Sequence, residues 1–393
     1  MVAHLYEWLA LAIRWLHVIA GIAWIGDSFY FMWLDASLKR DESTPDGIKG
    51  ESWSVHGGGF YRVIKFSNAP DAMPETLHWF KWQAYTTWLS GFALLAVVYW
   101  LQAKAFMVDA GGLAPGVAVG VGLGTLVLGW GVYTGLCKSP LGKSPVALAF
   151  VLGGVLAGTA YGLGELLSAR AAYIHVGAMI GTWMAGNVAM IIIPNQRKIV
   201  AALLDGKTPD PKYGAESKLR STHNNYLTLP VLFVMISNHY PMTYGHEHAW
   251  LVLVALFGIG ALTRVFFNFR NAGRVLGWVL PVVAVAYIGL AFVTAPPAPE
   301  KVEGVTSATW SDVQPIITVH CTPCHSANPT HAVFRTAPNG VMYDTPEQVA
   351  SKSALIKVRA VDTATMPLAN ETNMTAEERA KLGVWIEAGS PIP

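Results

Sequence analysis

Residues 145–167, PVALAFVLGGVLAGTAYGLGELL, contain a single charged side chain, that of Glu165. A membrane-spanning helix needs about 20 mostly apolar residues to cross about 30 Å of hydrocarbon. This segment meets the requirement, and we expect the same of seven others. The predicted spans are 8–34, 84–103, 112–136, 145–167, 171–194, 226–240, 248–269 and 274–295. The pattern therefore predicts an all-α fold that begins as a polytopic membrane bundle of about eight transmembrane helices.

The composition agrees with a membrane protein and divides the chain into two unlike parts. Hydrophobic residues make up 53% and charged residues 13%, whereas soluble domains are about 25% charged. The net charge of +2 offers no basic surface for nucleic acid. The run TAPPAP at 294–299 cannot continue a helix. We therefore predict a membrane domain at 1–295, a Pro-rich linker at 296–303 and a second domain at 304–393.

The distribution of Lys and Arg predicts the orientation of the spans. With an outer N-terminus, 16 of these residues lie in inner loops, and only Lys104 and Arg170 lie in outer loops. Positive residues concentrate on the cytoplasmic side of membrane proteins. Eight spans then return the second domain to the outer side.

The first and fifth spans share a short pattern that predicts a four-plus-four repeat. LHV at 16–18 matches IHV at 174–176, which places His17 and His175 at equivalent positions. Ionisable residues inside spans are costly and often functional. The pair could therefore supply both axial ligands of a b-type haem. The alternative is that both are hydrogen-bonded residues of the bundle.

The sequence CTPCH at 321–325 is the attachment motif of a c-type haem. The thiols of Cys321 and Cys324 add to the haem vinyl groups, and His325 binds the iron. Predicted helices at 310–320 and 375–389 flank the motif, and the second begins with a capping box of Thr375 and Glu378. This arrangement is similar to a small class I cytochrome c.

The resemblance to cytochrome c implies a thioether as the second axial ligand. Met366, in the tripeptide TMP, lies between the motif and the last helix, and is our choice. Met342 and Met374 are the alternatives. We interpret His320 and His331 as surface residues or neighbours of the haem propionates.

Polar residues gather where the second and sixth spans begin on the predicted inner side. His78 and Lys81 precede the second span, and His223 and Asn225 lead into the sixth. A histidine base, a lysine and amides could together bind a flat, anionic heterocycle. The alternative is ordinary helix capping and interfacial anchoring.

The chain as a whole resembles the bacterial membrane-bound urate oxidases, also called urate hydroxylases. The segments that carry the resemblance are LHVIAGIAWIGDSFYF at 16–31, HNNYLTLPVLFVMISNHY at 223–240 and the terminal CxxCH domain. The resemblance implies oxidation of urate to 5-hydroxyisourate in purine catabolism. Electrons would pass to the fused cytochrome c, and then to a downstream cytochrome c or terminal oxidase, instead of to O2. It also implies a bacterial inner membrane, with the cytochrome c domain on the periplasmic side.

Three other functions fit parts of the sequence. A non-enzymatic membrane cytochrome c could relay electrons from quinol or a partner dehydrogenase to a terminal oxidase. An oxygen-reducing oxidase core would need more intramembrane histidines than the spans contain. A porphyrin-handling or copper-related membrane protein would leave the fused cytochrome without a role.

Overall fold

The structure, a computed structural model, is helical over most of its described length. It describes residues 2–393 apart from Asn68, Asp71, Ala110, Gly111, 296–301, Glu303, Ala332, Val333 and Arg335. Nearly all of the predicted linker at 296–303 therefore lies outside the described residues.

The part before residue 296 is built mainly from helices, with one long connection between the first two. Pro115 and Pro145 each stand at the first position of a helix, where a missing N–H costs nothing. π-Helical turns at Leu95–Trp100 and Asn187–Ile192 continue two of the helices. The helices are α1 (Val2–Ser37), α2 (Trp82–Leu94), α3 (Ala103–Phe106), α4 (Pro115–Lys138), α5 (Pro145–Leu166), α6 (Ala169–Gly186), α7 (Ile193–Leu204), α8 (Pro211–Ser237), α9 (Pro241–Tyr244), α10 (Ala249–Asn271) and α11 (Val279–Val293).

Five helical segments among the described residues are long and apolar enough to cross a membrane. They are His4–Ser37, Pro115–Lys138, Pro145–Leu166, Ala169–Leu204 and Ala249–Asn271, and each overlaps a predicted span. The other three predicted spans also fall on helices. Of these, α2 and α11 are short, and α8 begins with a polar half. The eight-span topology, the repeat and the orientation stay predictions.

Helix α6 lies at the centre of the bundle. In the α6–α7 segment, 61% of the most apolar stretch is buried. In the other four segments, 17% to 28% of the corresponding stretch is buried. Two glycines of α4 allow a close approach to α6. A Cβ at Gly122 would lie 2.5 Å from His175 Nε2, and one at Gly129 would lie 2.5 Å from Met179 Sδ. Small residues bring helix backbones together in this way in membrane bundles.

Helix α8 packs against both α6 and α10. Its first half carries Arg220, Asn224 and Asn225, and all three are buried. Because buried polar groups need hydrogen-bond partners, this half of α8 requires polar residues on its neighbours. The packing therefore brings polar side chains from several helices into the interior.

The loop expected between the first two spans contains a β-hairpin. Strands β1 (Ile48–His56) and β2 (Gly59–Phe66) pair antiparallel. Gly57 and Gly58 join them with φ values of +58° and +81°, as a two-residue turn requires. The all-α prediction is therefore wrong in this segment, because apolar spans of helical length do not reveal strands whose side chains alternate at a period of two residues.

The part after residue 303 has its own buried apolar cluster. Helix α12 (Trp310–His320) packs against α15 (Ala376–Glu387), and the rings of Trp310 and Trp385 lie 5.8 Å apart. The predicted capping box of Thr375 and Glu378 is present, which confirms that helix start. Between them lie α13 (Pro346–Ser351), α14 (Ser353–Ile356) and a π-helical turn at Lys357–Asp362. Assignment to class I cytochrome c stays a prediction.

Candidate functional site

Five polar residues meet where α4, the end of α6 and α8 come together. They are Tyr133, Asn187, Arg220, His223 and Asn224, and we call them the Arg220 cluster. All except the half-buried His223 are buried. Such a concentration of polar groups inside an apolar bundle needs a specific network of partners.

Asn187 is the centre of the network. Its Nδ2 donates to Tyr133 Oη at 2.7 Å and to Asn224 Oδ1 at 2.8 Å, and its Oδ1 accepts from Arg220 Nη1 at 3.4 Å. Asn224 in turn donates to the carbonyl of Met184 at 3.0 Å. Asn187 also begins the π-helical turn, a local distortion that is frequent at functional sites.

Tyr133 is held on every side by this network and by aromatic packing. Its hydroxyl lies 2.9 Å from His223 Nδ1. Its ring stacks on Trp183 with centroids 4.8 Å apart and planes 9° apart. The guanidinium carbon of Arg220 lies 4.9 Å from the Tyr133 ring centroid, which is a cation–π distance.

Arg220 is a buried cation without a carboxylate partner among the described residues. It is 1% exposed, and the nearby Glu216 instead accepts a hydrogen bond from Asn195. An unpaired buried charge is costly. Arg220 Nε and Trp183 Nε1 also lack acceptors. The cluster therefore offers a positive charge and two free donors to an anionic group with several acceptor atoms.

Of the predicted site residues, His223 belongs to the Arg220 cluster and Asn225 does not. Asn225 faces α10, where its Oδ1 accepts from Arg264 Nε at 2.7 Å and its Nδ2 donates to Asn268 at 3.2 Å. The two neighbouring positions 224 and 225 thus serve different networks on different faces of α8.

His78 and Lys81 lie outside the cluster as well. The His78 ring contacts Phe80 at 4.6 Å, and Phe80 contacts Phe31 of α1 at 4.8 Å. The Lys81 ammonium lies 5.5 Å from the Trp82 ring centroid. These contacts place both residues among aromatic rings away from the cluster, and their predicted role in the site stays a prediction.

Sequence reasoning missed Tyr133 and Arg220 as site residues. Arg220 was counted among the charges of an inner loop, because only the apolar half of α8 was placed in the membrane. The signal was available in the spacing of Arg220, His223 and Asn224, which fall on one helix face at i, i+3 and i+4.

A match over the N-terminal part of the chain shows which family the chain belongs to. The family model described as urate oxidase N-terminal matches residues 3–295. The chain belongs to this family. The match includes the whole Arg220 cluster, and it connects the chain to urate and to oxidoreductase chemistry. No curated protein and no solved structure matches the chain.

The C-terminal part of this urate oxidase family member carries the residues predicted to hold haem c. His325 Nδ1 lies 3.0 Å from the Val341 carbonyl, which fixes the ring and directs Nε2 towards a metal. Burial raises the pKa of Cys321 to about 12 and that of Cys324 to about 11.

Met366 lies in a loop anchored on both sides of its peptide. Its N–H donates to the Arg359 carbonyl at 2.9 Å, and its carbonyl accepts from Arg379 Nη1 at 2.8 Å. Two thiols, an imidazole and a thioether fit the donor set of haem c. Within the described residues, no three His, Cys, Asp or Glu side chains are grouped to hold a bare metal ion.

The histidines next to the motif have protein partners. His320 is buried and contacts Thr372 at 2.7 Å and Glu378 at 3.2 Å, so its interpretation as a surface residue is wrong. His331 Nε2 lies 3.0 Å from Glu371 Oε2.

The fit to a b-type haem is poorer. His17 Nδ1 lies 3.0 Å from the Thr87 carbonyl oxygen. His175 Nδ1 lies 2.8 Å from the Ala171 carbonyl oxygen, and its Nε2 accepts from Trp100 Nε1 at 3.1 Å. Iron would need the nitrogen that Trp100 occupies. A b-type haem between His17 and His175 stays a prediction that requires Trp100 to move.

Proposed function

We propose that this protein oxidises urate to 5-hydroxyisourate in its N-terminal part and passes the electrons to a C-terminal haem c. Urate and one water yield 5-hydroxyisourate, two electrons and two protons. Because the haem would take the electrons and water would supply the oxygen atom, the reaction needs no O2 and forms no hydrogen peroxide. The electrons then leave for a downstream cytochrome c or terminal oxidase of the respiratory chain.

The observation that carries this proposal is the buried, uncompensated charge of Arg220. Urate is a planar anion at neutral pH, with carbonyl oxygens and ring nitrogens along its edges. Bound beside Arg220, it would neutralise the guanidinium and accept from Arg220 Nε and Trp183 Nε1. Small-molecule sites combine aromatic walls with a few convergent polar groups, and the Tyr133 and Trp183 rings beside the Arg220 donors provide both kinds of group.

The remaining residues of the Arg220 cluster would orient the substrate and move its protons. His223, one of the two histidines that the sequence offers as the base, would take this role because it lies in the cluster. Asn187 and Asn224 fix the positions of Arg220 and Tyr133. In this proposal Arg220 takes the anion-binding role expected of Lys81. Asn187 and Asn224 take the amide role expected of Asn225.

The C-terminal part would provide the electron acceptor. Cys321 and Cys324 would hold a haem covalently, with His325 and Met366 as ligands, and the bound haem would accept single electrons. A thioether ligand favours reduced iron. Arg379 and Arg359 would keep Met366 in place through its peptide hydrogen bonds.

The test is anaerobic addition of urate to the purified, oxidised protein. We expect the haem to be reduced, with two electrons transferred for each 5-hydroxyisourate formed and no hydrogen peroxide. Reduction by a quinol but not by urate would overturn the proposal. It would instead support a membrane cytochrome c that only relays electrons.

A further inference from the structure

The loop that leads into Met366 lies against one end of the helical bundle. Its side chains Thr363 and Thr365 come close to Gly245, the residue that follows α9. A Cβ built on Gly245 would lie 3.0 Å from Thr365 Cγ2 and 3.1 Å from Thr363 Cβ. The N-terminal and C-terminal parts of the chain therefore touch directly beside the proposed iron ligand.

Glycine at position 245 is required by this contact and not by its own backbone. The φ of Gly245 is −85°, a value that other residues also adopt. A Cβ there would instead meet the two threonines, and the carbonyl oxygen of Pro241 at 2.8 Å. Carbon atoms pack favourably at about 3.5–4.0 Å. A side chain at position 245 would therefore push the Met366 loop away from the bundle.

Hydrogen bonds connect this contact to Met366. Thr363 Oγ1 donates to the Val358 carbonyl at 2.6 Å, and Thr365 Oγ1 donates to the Arg359 carbonyl at 3.3 Å. The Met366 N–H donates to the same Arg359 carbonyl at 2.9 Å. The loop is thus tied to the π-helical turn before it. A displacement of either threonine would therefore move Met366 as well.

The bundle side of the contact is also held in place. The hydroxyl of Tyr173, in α6, lies 3.0 Å from the carbonyl oxygen of Thr243, two residues before Gly245. The hydroxyl of Ser168, just before α6, donates to the Phe106 carbonyl at 2.9 Å. These bonds fix both α9 and α3 to the start of α6. We call the surface formed by α3, α9 and Gly245 the docking end.

Side chains of the two parts also meet in an edge-to-face ring pair, an ion pair and a hydrogen bond. The pairs are Phe106–Phe334 with ring centroids 6.0 Å apart, Lys104–Glu371 with Nζ 3.8 Å from Oε1, and Glu7–Thr336 at 2.6 Å. An exposed ion pair by itself contributes little to stability. Contacts of several chemical kinds on one side of the C-terminal part favour a fixed orientation over a loose tether.

We propose that the docking end orients the C-terminal part and keeps Met366 in the position in which its sulfur binds iron. A thioether ligand raises the reduction potential, because it favours reduced iron. Separation of the Met366 loop from the docking end would loosen this ligand and lower the potential. Gly245 is in this role a positioning residue. The inference rests on the proposed function for the haem at Met366, and not for the urate site.

Zero-length cross-linking of the full-length protein tests the docking itself. A carbodiimide joins a lysine to a carboxylate that it contacts, and we expect it to join Lys104 to Glu371 within one chain. The pair Lys381 and Glu377, 2.7 Å apart on α15, is the internal control. Mass spectrometry of the monomer band identifies both products. A control product without a product between Lys104 and Glu371 would overturn the proposal.

Substitution of Gly245 tests the effect on Met366. In Gly245→Val we expect partial loss of the weak far-red absorption band that a thioether ligand gives to ferric haem, together with a lower midpoint potential. Gly245→Ala should change both less. Gly258→Val is the matched control, because Gly258 is exposed on α10 and a Cβ there meets nothing within 4 Å. An unchanged band and potential in a folded Gly245→Val protein would refute the positioning role.

A charge reversal tests the contact without altering α9. Lys104→Glu brings two carboxylates together and should weaken the far-red band, and addition of Glu371→Lys should restore it. The band reports the thioether ligand and not the charges themselves. Glu371→Lys alone is measured too, because Glu371 also contacts His331 at 3.0 Å. A double variant with no stronger a band than the two single variants would contradict the proposal.

Urate-dependent haem reduction separates this inference from the proposed function. We expect it to be about tenfold to a hundredfold slower in Gly245→Val, since a displacement of about 1 Å can cost about a hundredfold in rate. If the band and potential change in Gly245→Val but urate reduces no haem in the wild type, the docking role is supported and the proposed function fails. If urate reduces the haem of both proteins equally, with equal bands and potentials, the proposed function stands and the docking role fails.

Discussion

His175 and His223 are two histidines of the same bundle with different surroundings. Both nitrogens of His175 have protein partners, the Ala171 carbonyl and the Trp100 indole. His223 shares its Nδ1 with Tyr133, beside Arg220 Nε and Trp183 Nε1, which have no acceptor among the described residues. The hydrogen bonds around His175 are all made within the protein. Those around His223 would be complete only with a further group bound.

This difference shows how a structural polar group can be distinguished from a functional one. The sequence treats both histidines alike, as titratable residues that are candidates for a functional site. The count of satisfied donors and acceptors separates them, because a site that binds a ligand must leave groups unpaired until the ligand arrives. Substitutions around His175 and in the Arg220 cluster test this difference.

The largest effect is expected from Asn187→Leu, which removes the centre of the network. Tyr133, Arg220 and Asn224 would each lose a partner, and a buried group left unpaired costs about 1–3 kcal/mol. We expect kcat/KM for urate to fall by about a thousandfold.

Asn238→Leu is the matched control for that substitution. It removes an amide that donates to Tyr99 at the other end of the bundle. Its kcat/KM, measured by anaerobic stopped-flow absorbance, should stay within about threefold of the wild type. Equal losses in the two variants would contradict the assignment of the site to the Arg220 cluster.

His175→Ala should mainly destabilise the protein. The substitution leaves a cavity in the centre of the bundle and removes the acceptor of Trp100, with an expected cost of about 3 kcal/mol in the free energy of unfolding. His223→Ala should cost less, since His223 is only half-buried. Denaturant titrations in the same detergent measure both, and the reverse order would refute the comparison.

Arg220→Gln tests the charge of the site. Loss of a charge-assisted interaction of about 1.5–3 kcal/mol should raise KM for urate by about tenfold to a hundredfold. Arg170→Gln provides the control, because Arg170 contacts Tyr244 at the opposite end. Steady-state kinetics with both variants should show a change only in the first, and a wild-type KM there would count against an anion site.

Trp100→Phe should have the smallest effect. It removes one hydrogen bond to His175 Nε2, with a cost of about 1 kcal/mol. It also frees the nitrogen that a b-type haem would require. If such a haem binds between His17 and His175, acid acetone should extract more haem from this variant than from the wild type. A protein whose haem is all covalent in both would exclude the b-type haem.

The sequence predicted local features well and assembled features poorly. The positions of α4, α5 and the Thr375 cap follow from contiguous residues and agree with the structure. The grouping of His78 and Lys81 with His223 rested on a shared side of the membrane. That criterion places residues at a depth in the bilayer but does not say which helix faces meet.

The sequence alone determined the apolar segments, the helix starts and the spacing of the CxxCH motif, because each depends on neighbouring residues. Only the tertiary structure decided that Tyr133, Asn187 and Arg220 form one buried network. These residues come from three helices far apart in the chain. Their contacts depend on how α4 and α8 pack against α6, where glycines permit close approach. Packing also decided that Arg220 Nε and Trp183 Nε1 stay unpaired among the described residues, next to this network.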